Sequence, residues 1–123
     1  MFSKNFGLML YVDDVATEKN FWLALGFVII AEQEMLGYDS FEMKNHADSN
    51  VTITVYDKAF IQQVSPEVVN NQPSLLFETD DLETLHAKVV ALTDTASPIN
   101  QEPFKNFNFA SPSGQYYAVR EVK

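Results

Sequence analysis

The chain has 123 residues, with 17 Asp and Glu against 8 Lys and Arg for a formal net charge of −9, and no cysteine. A chain of this length holds one domain or two half-domains sharing a core, which excludes a large multidomain enzyme. The missing cysteine excludes a disulfide scaffold, a thiolate nucleophile, iron–sulfur clusters and Cys-ligated zinc, and the acidity argues against the basic stripe that nucleic-acid tracking needs.

Phe6–Val12 is apolar and aromatic and predicts a strand that ends at Asp13-Asp14, residues suited to capping a helix. Val15, Phe21, Trp22 and Leu25 then recur at helical offsets, and Gly26 stops the helix. Phe27–Ala31 resumes as a strand that extends toward Met35, and Gly37-Tyr38-Asp39 turns the chain into a strand over Ser40–Lys44. After the polar loop Asn45–Asn50 comes Val51–Tyr56, the strongest strand pattern in the chain. Residues 57–72 hold a helical turn and Pro66, and 61–72 reads as a linker between a module 1–60 and a module 73–123. Ser74–Thr79 predicts a strand, Asp80-Asp81 caps, and Leu82, Leu85, Val89 and Leu92 a helix stripe. Two or three strands finish the chain, the last pair being Phe107–Ala110 and Gln115–Val122 across the turn Ser111–Gly114.

The longest apolar run, Phe21–Ala31, has eleven residues, short of the roughly 18–20 that span a bilayer. Met1–Asn5 lacks a secretory pattern. The expectation is a soluble, cytoplasmic protein with neither membrane nor nucleic acid as partner.

The second half restarts the first. An offset of 67 maps Leu8 to Leu75, Asp13-Asp14 to Asp80-Asp81, Thr17 to Thr84 and Ala24-Leu25 to Ala91-Leu92, six identities without a gap, where about one is expected by chance. The fold class expected is α+β: two βαβββ modules forming a concave mixed sheet with a cleft, since each has too little helix to cover both faces of its sheet.

The run from Val12 to Phe27, with its V-x-D strand end, aromatic pair Phe21-Trp22 and Leu25-Gly26-Phe27, resembles the first-module signature of the glyoxalase/bleomycin-resistance/extradiol-dioxygenase (vicinal oxygen chelate) superfamily. Leu75–Leu82 and the ending Phe109–Gln115 match it too, with Ser111 and Ser113 replacing acidic residues. Metal-dependent members of that superfamily place a His or Gln on the first strand of each module and a Glu on the last. The resemblance puts Gly7, Ser74 and Ala118 at three of these positions, and Asn50–Tyr56 offers no Asp, Glu or His for the fourth. His46 lies in a polar loop and His86 on the outer side of a helix, so both read as solvated. Glu121 alternates to the other face from Ala118.

With Gly7, Ser74 and Ala118 facing inward, Met9, Tyr11, Leu76, Glu78, Tyr116 and Arg120 line the expected cleft, joined by Phe41 and Met43 or by Phe107 and Phe109 from middle strands whose register the sequence leaves open. Aromatic and Met side chains suit planar ligands, and Glu78 suits a cation. Glu78 with Tyr11 or Tyr116 forms a candidate acid/base pair without a nucleophile. The resemblance therefore implies a binding protein of the bleomycin-resistance kind that needs no metal or cofactor, holds a planar or cationic drug-like compound, and forms a homodimer. The rival readings are a metal-dependent glyoxalase-type lyase or isomerase, or a ring-cleaving dioxygenase, on unrecognised ligands, and an accessory module that binds nothing small.

Overall fold

In a computed structural model that describes residues 1–123, the chain divides into two units, Met1–Pro73 and Ser74–Lys123. The first contains β1 (Gly7–Val12), α1 (Val15–Ala24), β2 (Val28–Met35), β3 (Tyr38–Lys44), β4 (Thr52–Asp57) and α2 (Lys58–Val64). Its sheet has the order β1-β4-β3-β2, with β1 parallel to β4 and the other pairs antiparallel. Leu10, Val12, Phe41, Met43, Ile53 and Val55 are buried, and α1 adds Val15, Phe21 and Trp22 at spacings that keep them on one helix face.

The ends of α1 explain the sequence signature. Asp14 accepts a hydrogen bond from the Thr17 N–H at 3.1 Å, satisfying a donor the first turn leaves open. At the other end Gly26, with φ of 93°, lets the Gly26 N–H bond Leu23 and the Phe27 N–H bond Trp22, each at 3.0 Å. This is a Schellman cap, and its customary apolar contact is the Trp22–Phe27 ring pair at 4.6 Å.

The second unit contains β5 (Leu76–Thr79), α3 (Leu82–Leu92), β6 (Asn106–Ala110) and β7 (Tyr116–Glu121), with sheet order β5-β7-β6. Asp81 caps α3 as Asp14 caps α1, accepting from the Thr84 N–H at 3.2 Å and its hydroxyl at 2.8 Å. The further strands expected after α3 resolve into two. Where another would stand, residues 95–100 run beside β6 through irregular bonds: the Thr95 hydroxyl takes the Ala110 N–H, the Ser97 hydroxyl takes the Asn108 N–H, and Asn100 makes a single bridge to Asn106. Pro98 has no N–H to extend a ladder there.

Much of the expected linker is ordered. α2 is capped by Asp57, which accepts from the Ala59 N–H at 2.8 Å, and it packs on β1 and β4 through buried Ile61. Residues 58–73 therefore belong to the first unit. No helix is long and apolar enough to cross a membrane.

Candidate functional site

Register sorts each sheet into a face packed on its helix and an opposite face. In the first unit the opposite face carries the rows Tyr11–Tyr56–Ser40 and Met9–Thr54–Glu42, with Gly7 beside Thr52. Gly7, Met9 and Tyr11 thus share a face. Phe41 and Met43 do not share it: they pair with Val55 and Ile53, are 2% and 0% exposed, and lie on the α1 side, where Lys19 of α1 bonds Glu32, the register partner of Phe41.

In the second unit Leu76–Ala118–Asn108 and Glu78–Arg120–Asn106 form rows, with Tyr116 beside Ala110. Phe107 and Phe109 fall on the other face, paired with Val119 and Tyr117 and buried toward α3, where His86 meets the Phe107 ring edge-on at 4.8 Å. The Arg120 Nε–H donates to Glu78 at 2.9 Å, so the charge of Glu78 is met within the unit. Tyr116 lies two rows from Glu78, about 13 Å along the strand direction, too far for a direct acid/base pair.

The donor set fits no divalent metal. Gly7, Ser74 and Ala118 stand at the positions the resemblance assigns to ligands, and β4 presents Thr52, Thr54 and Tyr56 to the Gly7 side, whereas such ions need imidazole or carboxylate donors. No three His, Cys, Asp or Glu side chains gather anywhere in the chain. Glu121 is committed elsewhere: it accepts from the Leu82 N–H at 3.1 Å and pairs with Lys105 and Lys123. Chiefly through that backbone bond, its carboxyl is held below the usual range. His46 is exposed and accepts from the Asp48 N–H. His86 is not solvated as expected; it is half-buried, its ring nitrogen 2.8 Å from the Ser97 carbonyl.

Beside β1 lies an open groove of about 480 Å³, lined by Gly7, Leu8, Met9, Tyr11, Asn71, Gln72 and Pro73. Burial, and secondarily the neighbouring Tyr56, push the Tyr11 hydroxyl above its ordinary pKa. Tyr56 stacks on Phe60 of α2 at 5.7 Å, and Phe60 also meets Tyr38. The sequence reading missed Tyr56, Asn71 and Gln72. The Thr52/Thr54/Tyr56 alternation signals the first, but nothing local marks the other two.

No family model and no curated protein sequence matches the chain. Solved structures do. A hypothetical protein, SA1046 from S. aureus, is 18% identical with a TM-score of 0.77, covering 99% of this chain and 96% of its own. TnmS3, an antibiotic binding protein from Streptomyces sp. CB03234, is 15% identical with a TM-score of 0.73 over 100% of both chains. FosX, a fosfomycin resistance protein from Listeria monocytogenes solved as a mutant with Mn(II) and dihydroxypropylphosphonic acid, is 10% identical with a TM-score of 0.72, covering 100% of this chain and 95% of its own. At these identities what is shared is the fold, that of the glyoxalase/bleomycin-resistance/dioxygenase proteins, and that fold hosts both binding proteins and metal enzymes.

Proposed function

We propose that the chain is a small-molecule binding protein that works without a bound metal, taking a planar, drug-like compound on the sheet face of the first unit that carries Met9 and Tyr11. The observation that carries this reading is the donor set: Gly7, Thr52, Thr54, Ser74 and Ala118 stand where metal chemistry would need His or Glu. The groove supports it, because about 480 Å³ lies within the range of small-molecule sites. The likeness to an antibiotic binding protein over the full chain is in keeping with it. A homodimer working in the cytoplasm completes the proposal.

Calorimetric titration with a panel of planar aromatic and cationic compounds tests it, on protein purified without chelators and assayed in parallel for metal content. Trp22 is 0% exposed and reports poorly on this face, so heat is the better signal. Saturable binding by metal-free protein is the expected result. Stoichiometric Mn, Ni, Zn or Fe that ligand binding or turnover requires would overturn it in favour of a lyase, isomerase or dioxygenase.

A further inference from the structure

We infer that the groove beside β1 receives an uncharged aromatic compound bearing a carbonyl oxygen, which accepts a hydrogen bond from the Tyr11 hydroxyl. The inference rests on the binding reading above and narrows it to one groove and one ligand class. Tyr11 is 9% exposed and lines the groove, yet its hydroxyl makes no hydrogen bond within the chain. That hydroxyl opens onto the groove with its proton uncommitted within the chain, and a ligand acceptor placed there takes it in place of water. Because burial and Tyr56 raise its pKa, the hydroxyl stays protonated and able to donate at neutral and mildly alkaline pH.

The rest of the lining sets the class. None of its side chains carries a charge, so a charged ligand gains no ion pair from the lining itself and only a weak, solvent-screened attraction from charges farther along the face. Leu8, Met9 and Pro73 supply apolar contact for a flat ring system, while Asn71 and Gln72 add neutral amides.

Gly7 provides an independent handle. A Cβ there would meet only the Thr52 carbonyl, at 3.5 Å, an ordinary contact. A larger residue is therefore compatible with the strand and would project into the groove.

Three tricyclic probes separate the possibilities: acridone, which is neutral with a carbonyl; dihydroacridine, which lacks the carbonyl; and cationic proflavine. The readouts are calorimetric affinity and NMR of methyl-labelled methionine, since Met9 lines the groove while Met43 is buried on the opposite face. Acridone is expected to shift the Met9 methyl and leave Met43 unmoved. Tyr11→Phe should weaken acridone by ~5-fold, as for the net loss of one hydrogen bond, and leave dihydroacridine unchanged. Gly7→Leu should abolish binding of both while the Met43 resonance stays native, which shows that the variant is folded. Acridone affinity indifferent to Tyr11→Phe, an unmoved Met9 methyl, or proflavine as the tightest groove ligand would each overturn this inference and leave the broader binding reading standing. Failure of all three probes overturns it too, and failure of the broader panel as well removes both.

Discussion

Phe41 and Met9 show what a single step of register decides. Both are apolar residues in alternating strands, yet Phe41 is 2% exposed under α1 and Met9 is 47% exposed on the other face. Phe41→Ala opens a cavity in a packed core and should cost about 3–5 kcal/mol, whereas Met9→Ala should change stability by less than about 1 kcal/mol. Urea denaturation of the two variants checks this, and equal losses would mean that the register is wrong. The same comparison shows what was legible from residues alone. Gly7, Met9 and Tyr11 fall on one face by strand alternation, which is local and readable from residues alone. Phe41 and Met43 resisted because their face depends on pairing with Val55 and Ile53, a long-range choice. Their polar alternates Ser40, Glu42 and Lys44 were the better guide, since a β3 that packs one face on α1 turns its apolar set inward. A second residue worth testing is Glu18, 1% exposed, whose carboxylate accepts the Trp22 indole N–H at 2.9 Å. Glu18→Ala removes that acceptor inside the core and should cost roughly 1–3 kcal/mol, again read by urea denaturation.

At the scale of elements, the offset of 67 residues had physical content. Asp14 with Thr17 and Asp81 with Thr84 build the same cap on α1 and α3, so the repeat was readable as capping chemistry. The irregular segment at residues 95–100 is not, because its contacts to β6 mix Thr95 and Ser97 hydroxyls with a few isolated main-chain bonds in place of a continuous ladder. The caps also predict how the protein responds to acid. Asp14, Asp81 and Glu121 have carboxyls held below their ordinary range, mainly by hydrogen bonds from Thr17, Thr84 and Leu82 respectively. A carboxyl whose folded pKa lies below its unfolded value stabilises the fold fully above the unfolded pKa and loses that contribution as pH falls through the folded one. Melting temperature should therefore fall as pH drops below the ordinary carboxylate range. Glu121→Gln should give a lower plateau near neutrality and a shallower fall in acid, because the bond to the α3 N-terminus no longer carries a titrating charge. A variant whose curve parallels the parent across that range would show that Glu121 does not support the helix electrostatically.

For the whole molecule, the excess of acidic residues bears on self-association more than on ligand choice, since the groove beside β1 has a neutral lining and Glu78 is paired with Arg120. Two copies each carrying −9 repel one another, and the repulsion reaches about 30 Å at 0.01 M salt but only about 8 Å at physiological ionic strength. The attraction available to the proposed homodimer is apolar: Phe2, Phe6, Leu36 and Tyr116 are each more than half exposed, and apolar burial is insensitive to this degree of screening. Sedimentation equilibrium should accordingly show the dimer tightening as salt rises from about 0.01 M to about 0.15 M. An interface held by complementary ion pairs would loosen over the same range. Dissociation on adding salt would therefore contradict an apolar contact between like-charged copies, and a monomer at every salt concentration would remove the dimer from the proposal.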